Sequence, residues 1–171
     1  MSGRLNQLFH ASLTLSVFVL VVCLSACTKV NSGVVGMFNF DTDLKVVLEV
    51  SDDINPDEKH TASPLYLRFY ELTSDKVFNK TDFLELYEND ETILGKDLIA
   101  KQELDAVLPG VSREERFVVD PATRFVAIFA EFYEFRNSKY KLVFPVTSNN
   151  VIENTVRIEI SDNKLILRSA H

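Results

Sequence analysis

Phe125-Val126-Ala127-Ile128-Phe129-Ala130-Glu131-Phe132 is the stretch on which the fold turns. With the two-residue period of a strand, Phe125, Ala127, Phe129 and Glu131 share one face. Val126, Ile128, Ala130 and Phe132 share the other. A strand with one face in water alternates apolar and polar residues; this one is apolar on both faces through most of its length. It is therefore expected to be central, covered on both sides, within an extended segment from Arg124 to Phe135.

Further strands flank it. Leu44 to Val50 is rich in β-branched residues and predicts a first strand. Leu65 to Leu72 predicts a second, with Leu65, Leu67 and Phe69 on one face and Tyr66, Arg68 and Tyr70 on the other. Between them Ser51 to Ser63 is polar, with Pro56 in its middle, and reads as a loop. After the second strand comes a short helix. Asn79 or Thr81 is placed to cap it, and Asp82 and Glu85 lie near its positive end. Its expected core stripe is Phe83, Leu84 and Tyr87, with Leu86 at the edge. Leu98 to Leu104 fits either strand or coil, and Leu108-Pro109-Gly110 is a turn. Arg116 to Val119 is a strand stopped by Asp120-Pro121, and Tyr140 to Val146 is another. Thr155 to Ile160 and Lys164 to Arg168 form a hairpin around Ser161-Asp162-Asn163. Seven or eight strands and one short inserted helix predict a mainly β protein, a two-sheet β-sandwich with Greek-key-like connections.

The start of the chain has a different character. Arg4 supplies a positive charge, and no acidic residue precedes Asp41. The apolar run from Ala11 to Leu24 falls short of the roughly 20 apolar residues that span a bilayer. A positive start, a short apolar middle and small residues at the end describe a secretory signal. Leu24-Ser25-Ala26-Cys27 resembles the lipobox of bacterial lipoproteins. That resemblance implies a diacylglyceryl thioether on Cys27, cleavage before it and acylation of the new amino group. The alternative is an ordinary cysteine after an ordinary signal. The expected organisation is a removed signal over 1–26, a lipidated N-terminus and tether over 27–40, and a β-sandwich domain over 41–171. Cys23 leaves with the signal, so Cys27 is the last cysteine and the domain forms no disulfide. Its stability must come from a packed core.

Charge and residue types narrow the functions. The chain carries 25 acidic and 18 basic residues, and loss of Arg4 makes the remainder more acidic still. Such a surface repels nucleic acid and anionic lipid headgroups. Catalysis needs a nucleophile, a base and a group to orient it. Of three histidines, His10 lies in the signal, His171 ends the chain and only His60 remains, in a polar loop. Zinc sites want several His or Cys ligands, and none can be assembled. Asp53-Ile54-Asn55-Pro56-Asp57 spaces oxygens as a calcium loop begins, but Glu58 and Pro64 stand where that loop needs Gly and Glu. The 13 Phe and 5 Tyr follow strand alternation, as core residues do. No cofactor is expected, and an enzyme would require carboxylates clustered from distant positions, which nothing in the residues favours.

Several segments, in order, carry a family resemblance: Ile54-Asn55-Pro56-Asp57, Ser63-Pro64-Leu65-Tyr66-Leu67-Arg68-Phe69-Tyr70-Glu71-Leu72, Phe78-Asn79-Lys80-Thr81-Asp82-Phe83-Leu84-Glu85-Leu86-Tyr87, Leu94-Gly95, Leu108-Pro109-Gly110 and the long strand from Phe125 to Phe135. Following a lipobox, they resemble the outer-membrane lipoprotein of the type VI secretion system, the TssJ or VasD family. The resemblance implies a transthyretin-like sandwich with an extra helix, and no enzyme activity. It also implies a lipid-anchored protein of the outer membrane, facing the periplasm. Thr28 after the cysteine agrees, since by resemblance to Gram-negative sorting a residue other than aspartate there favours the outer membrane. The implied partner is the periplasmic C-terminal region of the large inner-membrane secretion subunit, and the only added group is the covalent lipid on Cys27. In the family, the loop between the first two strands carries much of that contact. By position this is Ser51 to Ser63, which points to Asp53, Ile54, Asn55, Pro56 and Asp57, with Ile54 as an apolar anchor and the acids steering encounter. Alternatively, Asn55 and Pro56 only shape the turn. A different class of function is a periplasmic lipoprotein that binds a small molecule or carbohydrate, which would need a deep pocket lined by exposed aromatics.

Overall fold

Alternation sets the first strand, β1 (Thr42–Val50): Leu44, Val46, Leu48 and Val50 are buried, while Asp43 and Glu49 are exposed. The computed structural model describes residues 42–146 and 154–170. Cys27 and the tether over 27–40 lie outside them. The chain divides into Met1–Asn39 and Phe40–His171, and the fold is that of the second unit. Its further elements are β2 (Leu67–Leu72), α1 (Lys76–Lys80), α2 (Phe83–Leu94), a 3-10 turn at Gly95–Asp97, β3 (Leu98–Glu103), β4 (Arg113–Val119), β5 (Phe125–Ala130), a second 3-10 turn at Phe135–Asn137, β6 (Lys141–Pro145), β7 (Asn154–Ser161) and β8 (Lys164–Ala170).

The strands form two four-stranded sheets, ordered β4-β1-β7-β8 and β3-β2-β5-β6, which is the expected sandwich. Every ladder is antiparallel except that between β1 and β7, where Leu44 aligns with Asn154 and Val50 with Ile160. Phe69 of β2 stacks on Phe117 of β4 across the two sheets, their ring centroids 3.8 Å apart. Around that pair the inward faces of both sheets make one core. Each fully buried Leu, Ile or Phe there removes apolar surface worth about 1.5–3 kcal/mol.

A second cluster lies on the outer face of the β3-β2-β5-β6 sheet. Tyr70, Leu72, Ala127 and Phe129 pack under Phe78 of α1 and Phe83, Leu86 and Leu94 of α2. This explains the two apolar faces of β5: Val126, Ile128 and Ala130 enter the core between the sheets, and Ala127 and Phe129 enter the layer beneath the helices.

Details differ from the sequence pattern. The inserted helical segment is two pieces, a single turn and a helix of 12 residues. The cap of the longer one is Asp82 rather than Asn79 or Thr81. Its carboxylate accepts from the Glu85 N–H at 2.9 Å, and the Glu85 carboxylate accepts from the Asp82 N–H at 3.3 Å, a capping box. Thr81 instead donates its hydroxyl to the Val77 carbonyl and closes α1. The core stripe of α2 is Phe83, Leu86, Asp90 and Leu94, and the expected core residues Leu84 and Tyr87 are half exposed. Leu98–Glu103 is a strand, and Leu65 stands outside β2 in a lone bridge to Val107.

Candidate partner-binding loop

The loop from Ser51 to Ser63 leaves β1 directly and is stitched to its surroundings. Ser51 N–H donates to the Ile160 carbonyl at 3.0 Å, and Asn55 N–H donates to the Asp162 carbonyl at 2.9 Å. Asp162 N–H returns a bond to Asp53 Oδ1 at 3.2 Å. The loop therefore rests on the β7–β8 turn. On its other flank Gly110 N–H donates to the Ser51 carbonyl at 3.0 Å. Gly110 has φ +72°, which glycine adopts without strain, and a Cβ there would displace the Asp52 carboxylate.

Ile54 and Asn55 turn inward. Ile54 has no exposed surface and belongs to the core between the sheets. That corrects its expected part as an apolar anchor for a partner: the backbone doubles back after Asp53 and plugs the end of the sandwich with this side chain. Asn55 sits at φ +47°, a conformation asparagine tolerates better than most residues. Its amide nitrogen donates to the Pro64 carbonyl at 2.8 Å and its amide oxygen accepts from the Tyr133 N–H at 2.8 Å. Asn55 thus ties three loops together, in keeping with the alternative that it shapes the turn.

Beyond Asn55 the loop forms a small turn of its own. Asp57 Oδ1 accepts from the N–H groups of Lys59 and Thr61 at 2.8 and 2.9 Å, and Asp57 N–H donates to the Thr61 carbonyl. His60 takes φ +59° at its tip. Asp52, Asp53, Glu58, Lys59 and His60 face solvent, while Pro56 and Asp57 are half-buried. A shallow concavity lies among Asp52, Asp53, Pro56, His60 and Asp162. The oxygens that resemble a calcium loop are already engaged, Asn55 with Tyr133 and Asp57 with its own turn. Among the described residues no group of three His, Cys, Asp or Glu is placed to hold a metal ion.

A second polar cluster lies beneath α2. Asp90 Oδ2 accepts from Tyr70 Oη at 2.7 Å and pairs with Arg68 at 2.8 Å and Lys101 at 3.0 Å. Arg68 also pairs with Glu131 at 2.6 Å. Burial pushes the Asp90 carboxyl up, but donation from Tyr70, Lys101 and Arg68 overcomes it and holds the group below the usual carboxylate range. Burial and the bond to Asp90 push the Tyr70 phenol up. These groups satisfy one another, so the cluster pins α2 to the sheet. The sequence offered no signal for it, because its members are spread from Arg68 to Glu131.

Comparison with known proteins gives the fold a context. A search of curated proteins finds no match. Among solved structures, the type VI secretion lipoprotein TssJ1 from Pseudomonas aeruginosa is similar at 25% identity and a TM-score of 0.69, over 77% of this chain and 97% of that one. A chain in a structure described as the type VI membrane complex is similar at 23% identity and a TM-score of 0.66, over 75% of this chain and 99% of that one. A chain in a structure described as the C-terminal domain of the type VI secretion protein TssM from EAEC is similar at 21% identity and a TM-score of 0.59, over 74% and 98%. The family model described as type VI secretion lipoprotein, VasD, EvfM, TssJ matches residues 42–163, which reach from the first strand into the β7–β8 turn, and the chain belongs to that family.

Proposed function

We propose that this chain is an outer-membrane-anchored periplasmic lipoprotein that holds the large inner-membrane subunit of the type VI secretion membrane complex. Cys27 carries the lipid, the residues after it give reach, and the sandwich presents the loop from Ser51 to Ser63 to the periplasmic C-terminal region of that subunit. The role is mechanical and asks for no group beyond the lipid.

The observation that carries this reading is the course of β1. The chain arrives from the tether at Thr42 and leaves at Val50 straight into the loop. Nine strand residues separate those points by roughly 26 Å. The chain from the tether thus joins the domain at one end of β1 and the braced loop lies at the other, which supports a partner site separate from the anchor. Similarity to chains in structures described as the type VI membrane complex and as the TssM C-terminal domain supports the choice of partner.

Calorimetry tests it, with the mature chain in detergent and the periplasmic C-terminal region of the host's inner-membrane subunit. Asp53→Asn and Glu58→Lys are measured beside the wild type, since both side chains are exposed. Binding that weakens in these variants is the expected result; a folded chain that does not bind would end the tether reading. Cys27→Ser is expected to leave the domain folded, release it from the membrane fraction and stop secretion. Normal secretion by that variant would remove the anchor.

A further inference from the structure

We propose that the partner surface is wider than the loop from Ser51 to Ser63, and that its apolar contact comes from Leu108, Val111 and Tyr133. This rests on the tether reading above. With Ile54 buried, the loop itself offers a partner little but charge. Its two braces supply what it lacks. Leu108 and Val111 flank Gly110, whose N–H holds the Ser51 carbonyl and whose Cα lies against Asp52, and these two side chains are 50% and 52% exposed. Tyr133, whose N–H is held by Asn55, is 68% exposed. Val118, Tyr66 and Leu84 are as open elsewhere, so what sets these three apart is that both turns are hydrogen-bonded to the same loop, and aromatic residues are enriched at the centres of interfaces.

The charge around them selects the occupant. Asp52, Asp53, Asp57, Glu58, Glu134 and Asp162 stand at this end against Lys59, Lys139 and Lys164. A bilayer with anionic headgroups would be repelled. A second copy docking by the same face would set acid against acid. The surface fits a protein with an apolar centre and a basic rim, and the proposal commits to the inner-membrane subunit as that protein.

The test measures affinity of the mature chain in detergent for the periplasmic C-terminal region of that subunit. Leu108→Ser/Val111→Ser and Tyr133→Ser are compared with the wild type, and thermal unfolding checks that both variants keep the wild-type fold. Leu108→Ala/Val111→Ala stands in if the serine pair unfolds. Each variant is expected to bind about tenfold more weakly, as loss of an interface centre does. Wild-type affinity in either variant would overturn the two-sided surface and leave the tether role intact. A folded wild type that does not bind would instead fail the tether reading itself. Sedimentation showing a wild-type dimer that these substitutions dissolve would give the surface to a second copy and overturn the assignment.

Discussion

Ile54 and Asn55 sit in a polar loop between two strands, yet both are withdrawn from solvent. The energetic consequence differs for each residue type. Ile54→Ala would leave a cavity at the end of the core, and unfolding in urea is expected to show a loss of about 2–4 kcal/mol. Partner affinity, corrected for the unfolded fraction, should stay near wild type; a variant as stable as the wild type would show that the side chain does not pack as described. Asp90 gives the corresponding polar case. Asp90→Ala leaves the buried Tyr70 hydroxyl without its acceptor, while Arg68 keeps Glu131 and Lys101 keeps Glu91 and Glu103, and should cost about 2 kcal/mol at neutral pH. The folded-state pKa of Asp90 is depressed. Its contribution is therefore complete above the unfolded carboxylate value and is lost as pH falls through the folded one. Denaturation at stepwise lower pH should show the gap between wild type and Asp90→Ala closing below the ordinary carboxylate range. A gap constant down to acid unfolding would exclude Asp90 from the titration.

At the level of elements, sequence patterns were most readable where one period ruled. Strand β5 declared both its faces because apolar residues fill them without interruption, and the β7–β8 hairpin declared its turn through Asp162 and Asn163. Helix α2 hid its face because a carboxylate sits in the stripe that packs inward. Phe83, Leu86 and Leu94 follow helical spacing only if Asp90 is counted with them, and a search for apolar neighbours picks Leu84 and Tyr87 instead. The backbone leaves helical geometry at Asn89, next to Asp90, so the stripe is also interrupted there. Tyr87 is not wasted on the outside: its ring lies 5.9 Å from that of Phe83, and the Arg68 guanidinium lies 5.3 Å from its centroid. The position of the candidate loop was legible from its polar run, but the direction of Ile54 was not, since it depends on the distant Tyr133 and Asp162 that hold its neighbours. The capping box at Asp82 and Glu85 had a local signature and only its exact residue was displaced. Asp82→Ala should lower stability by about 1 kcal/mol in denaturant titration. No change would mean that packing under α2 alone sets where the helix begins.

For the molecule as a whole, a tether has to bear load. Tension between a lipid on Cys27 and a partner on the loop would act on the two ends of β1. That strand is internal to its sheet, paired antiparallel with β4 over Thr42 to Leu48 and parallel with β7 over Leu44 to Val50. Pulling along β1 loads both ladders in shear, so their hydrogen bonds share the force instead of breaking one after another. Strand β8 is the opposite case. It lies at the sheet edge, and its Ala170 end pairs with Val156, which is level with Val46 of β1. Pulling on that end would unzip it from β7. Single-molecule stretching between a handle before Thr42 and one on Glu58→Cys should therefore need more force than stretching between the same first handle and one after Ala170. Forced unfolding reports the barrier along the pulled direction rather than overall stability, so the same domain can give two different forces. Equal forces, or a weaker one through the loop, would mean that β1 is not the path by which this lipoprotein carries load.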